Sequence, residues 1–192
     1  MILLLGILLG MLAGLGRARR QRCAYSLPAI RGFWLVFAAF LPQLLAFYAP
    51  GVRGWVTQPV AALALVGSQV LLMVFVWLNR TRAGFWLLGL GLAMNLAVIA
   101  ANGGLMPISP QTIQRLAPHL PLHTWQSGSR FGTTKDIILE RGATRLEWLA
   151  DRFVAPDWFP QRVAFSIGDV IIACGAFWLL WQAGKCPEPA AD

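Results

Sequence analysis

Charge is scarce in this sequence. Of 192 residues only 12% are charged, with eight Asp and Glu against sixteen Lys and Arg, while 57% are hydrophobic and the mean hydropathy is +0.61. A water-soluble domain of this length cannot cover its surface with so few polar side chains, so that class is excluded and a bilayer protein is expected. Cysteine and histidine are sparser still, at three and two residues. Cys23, Cys174 and Cys186 have no paired spacing, which predicts neither a disulfide framework nor a zinc site, and Cys174 sits in an apolar run where it reads as a small hydrophobe. His119 and His123 would make adjacent ligands only on a helix, Pro118 and Pro121 argue against one, and no third ligand is indicated, so no metal is assigned. A Ser/His/Asp triad, a nucleotide fingerprint, a haem motif and an inverted repeat are also missing. Gly103 and Gly104 lack the lysine and following Ser or Thr of a phosphate loop. The sequence therefore assigns no cofactor and no catalytic residue.

What is present is a series of long apolar runs. Five stand out, at residues 1–16, 32–49, 59–78, 84–101 and 163–181, each bounded by charge, proline or glycine. The reading is an all-α integral membrane protein, one domain over residues 1–192, with about five transmembrane helices and one long loop at 102–162. The first run has no basic residue before it and Arg17, Arg19, Arg20 and Arg22 after it, the reverse of a secretory leader, so it is read as a retained helix. Trp34, Trp55, Trp77, Trp86, Trp178 and Trp181 fall near the predicted ends, where indole rings favour the headgroup boundary.

The net charge of +8 does not point to nucleic acid, because the basic residues collect at span ends, where they meet anionic lipid. They also orient the chain. The connection at 17–31 carries five arginines and no acid, that at 50–58 carries only Arg53, and Arg80, Arg82 and Lys185 fall on the same side as the first. By the positive-inside rule that side is cytoplasmic, which places the N-terminus and the 102–162 loop outside and the C-terminus in the cytoplasm.

Small residues recur every fourth position at Gly6, Gly10 and Gly14, and again at Gly89, Ala93, Ala97 and Ala101, as helices closely packed in lipid require. Polar side chains inside the runs are few: Gln43, Gln69, Asn95 and Asp169. Conversion of position to depth puts Gln43, Asn95 and Asp169 in the outer half of the bilayer and Gln69 nearer its middle. Asp169 is the most informative, since an ionised aspartate at mid-helix in lipid costs about 2.5–3.5 kcal/mol and must pair, protonate or reach water. It reads either as interhelical glue to Asn95 or Gln43, or as a proton, ion or ligand site; Arg162 or another loop arginine could fold over it. In the loop, Asn102, Gly103, Gly104, Pro107, Ser109 and Pro110 end the fourth helix in a shaped turn that could form a lid over this polar layer. Thr144 to Glu147 has a capping-box pattern followed by Leu146, Leu149 and Phe153 on one face, predicting a short amphipathic helix anchored on the membrane by Trp148, Trp158 and Phe159.

The segments MILLLGILLGMLAGL, NGGLMPIS at 102–109, TRLEWLAD at 144–151 and FSIGDV at 165–170 resemble a bacterial family of small integral membrane proteins described only as a domain of unknown function. That family pattern carries proline where this chain has Glu147. The resemblance implies a shared fold of several membrane helices and marks Asn102, Gly103, Gly104, Pro107, Ser109 and Asp169 as motif positions, with no activity attached. Two functions compete. One is a non-catalytic membrane subunit or assembly and scaffold protein, partnered by lipid and by other membrane subunits. The other is a small carrier, ion-coupled protein or membrane enzyme using an outward-facing polar site around Asp169. A lipid-associated sensor using the amphipathic segment is a lesser third.

Overall fold

The computed structural model describes residues 2–27, 29–118, 125–159 and 161–186. His119 and His123 lie outside the described residues. The chain is mostly helical: α1 (Ile2–Gln21), α2 (Trp34–Gln43), α3 (Gln58–Leu78), α4 (Ala83–Ala101), a short α5 (Pro110–Leu116) and α6 (Ile167–Gln182). Three of these, α1, α3 and α4, are long and apolar enough to cross a membrane. α2 and α6 are apolar but shorter. Pro42 lies at the end of α2, and the chain continues as one wide π-type turn, Leu44–Tyr48. Proline removes a backbone donor and crowds the preceding turn, so a change of winding there has a local cause.

The apolar helices pack in an open row, in the order α1, α6, α4, α3, α2. The first and last helices of the sequence thus share a seam, and so do α6 and α4. Glycine makes both seams possible. A side chain at Gly6 would strike the Ala173 carbonyl at 2.5 Å, one at Gly10 the Phe177 backbone at 2.7 Å, and one at Gly14 the Leu180 carbonyl. Across the second seam a side chain at Gly91 would meet the Gly168 carbonyl at 2.5 Å and one at Gly175 the Leu88 nitrogen at 2.7 Å. The stripe expected on α4 is not the one in use. Ala93 and Ala97 are exposed, and Gly89 would touch only Val76; Gly84 and Gly91, seven residues apart, form the close face instead.

Between α4 and α6 the chain folds into a small cap. Strand β1 (Met106–Ile108) runs parallel to β2 (Asp136–Ile138), and β3 (Phe153–Val154) pairs antiparallel with β4 (Ala164–Phe165). Its own core is Ile108, Ile113 and Ile138. A second core joins it to the helices, with Leu105, Met106, Ile137 and Leu149 packed on Phe47, Leu65, Val98 and Ile99. Removing that apolar surface from water or lipid headgroups makes cap and bundle one body.

Two expectations are corrected here. The segment after Thr144 is not an amphipathic helix but a single 3-10 turn, Glu147–Leu149, with Leu146 left-handed at φ 54°; another such turn, Arg141–Ala143, precedes Thr144. The capping box fails because its groups are taken elsewhere. The Thr144 hydroxyl donates back to the Glu140 carbonyl, the Arg145 N–H donates to Asn102 Oδ1, and the chain is drawn into a bridge between Asp151 and Ile108. Trp148 and Trp158 are exposed on this segment. The second correction concerns cysteine: Cys23 and Cys186, 163 residues apart, form a disulfide joining the ends of α1 and α6. Cys174 is free and exposed.

Candidate functional site

The polar side chains gather where α4 ends, α6 begins and the cap sits on both. Asp169 is not in mid-helix. Ser166 is the N-cap of α6 and Asp169 its N3 residue, in a reciprocal capping box: the Asp169 N–H donates to Ser166 Oγ at 3.1 Å, and the Ser166 N–H donates to Asp169 Oδ2 at 3.0 Å. The carboxylate thereby meets backbone donors that a helix start leaves open, at the positive end of the helix dipole.

Asn95 on α4 completes the arrangement. Its Nδ2 donates to Asp169 Oδ1 at 2.9 Å, and its Oδ1 accepts the Ser166 hydroxyl at 3.0 Å. Asn95 and Ser166 are buried, and Asp169 is half-buried. Only glycine permits the approach, since a Cβ at Gly168 would collide with Asn95 Oδ1. Gln43 is not part of this group: it is half-buried at the end of α2, which packs on α3, and no hydrogen bond links it to Asn95 or Asp169. Gln69 is buried in α3, and its Oε1 has no hydrogen-bond partner among the described residues.

The motif positions after α4 shape the junction between helix and cap. Asn102 ends α4 and its side chain clamps the cap: Nδ2 donates to the Val98 and Arg145 carbonyls, both at 2.8 Å, while Oδ1 accepts the Arg145 N–H at 2.9 Å. Gly103 and Gly104 turn the chain with φ of 81° and 87°, a region that favours glycine. A Cβ at Gly104 would also lie 2.7 Å from that of Ala62. Pro107 is buried in β1 and its carbonyl accepts the Asp151 N–H at 3.1 Å; Ser109 caps α5. The segment expected as a lid is a buried strand of the cap.

The residues that sequence reasoning missed are Lys135, Asp136 and Asp151. The Lys135 ammonium donates to Asp136 Oδ1 at 2.9 Å and to Asp151 Oδ2 at 2.5 Å. Asp151 is 2% exposed, and its second oxygen, Oδ1, has no hydrogen-bond partner among the described residues. Burial pushes the Asp151 carboxyl up to about 7; Lys135 opposes that rise, while the nearby Asp136 and Asp169 charges add to it. Burial works against the Lys135 charge, but Asp136, Asp151 and Asp169 outweigh it and hold the ammonium well above the usual lysine range. Lys135 is thus the cation facing this end of α6. Arg162 is engaged elsewhere, with Asp157 at 2.6 Å and the Arg115 carbonyl.

Chemically there are two neighbouring groups, Lys135 shared between Asp136 and Asp151, and Asn95 bonded to Asp169 and Ser166, with Asp169 in electrostatic reach of the first. The first can hold a proton on Asp151 near neutral pH. Among the described residues no group of three or more His, Cys, Asp or Glu is placed to hold a metal. The larger surface hollows lie elsewhere, one of about 600 Å³ between α2 and α3 beside Pro42, Ala64 and Gly67.

A family model described as "Family of unknown function (DUF5317)" matches residues 28–181. That span contains NGGLMPIS, TRLEWLAD and FSIGDV and begins after the opening run and Cys23. No curated protein and no solved structure matches the chain significantly.

Proposed function

The chain belongs to the DUF5317 family of unknown function, and on that premise we propose that it is a five-span bacterial inner-membrane protein serving as a non-catalytic subunit or assembly scaffold of a larger membrane complex. In this reading α2 and α6 cross the bilayer with α1, α3 and α4, the basic ends of α1 and α6 face the cytoplasm, and the cap faces outward. The support for five crossings is that the two shorter helices lie in the same packed row as the three long ones. A short helix is accommodated by local thinning and by flanking residues. The support for orientation is the side on which Arg17, Arg19, Arg20, Arg22, Arg80 and Arg82 gather.

The observation that carries the subunit reading is the open row itself. α1 and α2 stand at its two ends, and both present large apolar side chains outward: Leu4, Leu8 and Leu12 on α1, Phe37, Phe40 and Leu41 on α2. Meanwhile the strongly polar groups Asn95, Ser166 and Asp169 are consumed in fastening α4 to the start of α6, and Asn102 in fastening the cap to α4. A row is an unclosed bundle, and other membrane helices close it as well as lipid does. Crosslinking in native membranes through single cysteines placed on Leu8 and Phe40, with mild-detergent copurification, tests this. Discrete crosslinked species with another membrane protein are expected; a chain that is alone at native expression in both assays overturns the reading.

A second reading, an ion-coupled protein, carrier or membrane enzyme around Asp169, is favoured by one observation: Asp151 Oδ1 is buried without a partner among the described residues, beside Lys135 and within electrostatic reach of Asp169. Here an Asp169→Asn protein that inserts and folds normally but loses proton or ion flux in vesicles supports the second reading. Unchanged flux counts against it.

A further inference from the structure

We propose that Cys23 and Cys186 are a reversible thiol–disulfide site that exchanges with small, carboxylate-bearing disulfides in the compartment faced by the basic end of the helices. The inference rests on the orientation proposed above for its compartment, though not for its chemistry. Cys23 follows α1 by two residues and Cys186 follows α6 by four, and their Cα atoms are 5.7 Å apart. Both cysteines lie outside the family-matched residues. The pairing is therefore built by the chain's two flanks, which the rest of the fold brings together.

Three features make it exchangeable rather than inert. First, the two ends are held together independently of the sulfur bond. The Ser26 N–H donates to the Ala183 carbonyl at 3.1 Å, the Tyr25 hydroxyl to the Leu180 carbonyl at 3.1 Å, and the Cys186 N–H to Gln21 Oε1 at 3.3 Å, above the Gly6, Gly10 and Gly14 seam. Opened thiols stay neighbours, so reclosure is intramolecular and fast. Second, Arg19, Arg20 and Arg22 are exposed beside Cys23. Neighbouring cations attract an anionic disulfide. Third, both cysteines are part-exposed, so a small reactant reaches them. A disulfide facing a reducing cytoplasm persists only as a responsive one.

The exchange balances without another reagent. One protein thiolate attacks a sulfur of the small disulfide, breaking its S–S bond, forming a mixed disulfide and releasing one small thiolate. The second cysteine, its proton lost to water, attacks the protein sulfur of the mixed disulfide, forms the Cys23–Cys186 bond and releases the second small thiolate. Two electrons pass from the protein to the small disulfide.

The test uses the full chain carrying Cys174→Ala, in native membranes without denaturant, equilibrated across ratios of reduced to oxidised glutathione, acid-quenched and tagged with polyethylene-glycol maleimide. Loss of both tags as the oxidised fraction rises, and their return on reversal, is expected. A bond that survives a thousandfold excess of reduced glutathione, or thiols that stay open at every ratio, overturns exchange. The Cys23→Ser protein should trap one glutathione on Cys186, and failure to do so likewise overturns it. Membrane-impermeant maleimide on intact cells, after membrane-permeant reduction, judges the orientation separately. Tagging only after permeabilisation is expected; tagging of intact cells overturns the proposed topology and the named compartment, and leaves the titration to decide the chemistry.

Discussion

The Asp151 carboxyl makes the cap's stability depend on pH in a direction opposite to that of an ordinary ion-paired acid. Its folded value is about 7 against 3.8 for a free aspartate, because burial outweighs the Lys135 ammonium at 2.5 Å. Between those two values the closed cap holds a proton that the opened cap releases. Protonation therefore favours the closed form, and the contribution is lost as pH rises through about 7. Lys135 stays charged across the whole window, since its own value is raised. The linkage relation puts the opening constant about twentyfold lower at pH 5.5 than at pH 7.5, out of a full effect on the order of 4 kcal/mol. Hydrogen exchange read by mass spectrometry, with intrinsic rates corrected for pH, reports it at the Ile138, Leu139 and Asp151 amides, which are bonded to Ser129, Ile108 and Pro107. In Asp151→Asn, a neutral amide stands where the protonated acid was, and the pH dependence should vanish while cap protection at pH 5.5 changes little. Protection that falls on acidification, or a slope that survives in Asp151→Asn, refutes the reasoning.

Asn95→Leu removes the donor to Asp169 and the acceptor of the Ser166 hydroxyl, and should lower stability by roughly 1–3 kcal/mol, read as a shifted midpoint in detergent-denaturant unfolding. Gly10→Val forces a side chain into the Phe177 backbone and should separate α1 from α6, abolishing the Cys23–Cys186 crosslink, whereas Gly16→Ala, with nothing within 4 Å, should leave it intact. Gly104→Ala meets both a positive φ and the Ala62 Cβ, so its cost should exceed that of Gly103→Ala, which meets only the first; about 1–3 kcal/mol of backbone strain is the scale, measured by thermal unfolding of the paired variants.

Much of the fold is legible in the sequence because a bilayer imposes long apolar runs: each of the five runs contains an apolar helix, and three of those helices have membrane-crossing length. The glycines of α1 are legible for a related reason, since a four-residue spacing keeps them on one face. Boundaries read less well. The fifth run begins at Val163 by composition, but α6 begins at Ile167, because Ser166 and Asp169 form an N-terminal capping box inside an apolar stretch. The sequence carries that signal, a serine followed three residues later by an acid, and hydropathy hides it. At Thr144 the same signal misleads. There Asn102, forty-three residues earlier, takes the Arg145 N–H and the pattern has no helix to cap. Lys135 and Asp151 sit sixteen residues apart in irregular chain, and Cys23 and Cys186 sit 163 apart. No local periodicity encodes either pair.

The relocation of Asp169 changes what its burial means. An aspartate in the middle of a lipid-facing helix would need a compensating function, because every turn of backbone around it is already hydrogen-bonded and offers no donor. At N3 of α6 the backbone itself supplies the donor, the helix dipole supplies favourable potential, and Asn95 supplies a second partner across the Gly91–Gly168 crossing. A structural role for Asp169 is thus sufficient to account for its place. The group left without such an account is Asp151, whose burial is nearly complete and whose second oxygen has no partner among the described residues. It closes the TRLEWLAD segment, bridges to β1 and shares its ammonium with Asp136. If this chain moves or senses a proton, the cap's Asp151 is where burial, by raising the carboxyl to about 7, lets one be held near neutral pH.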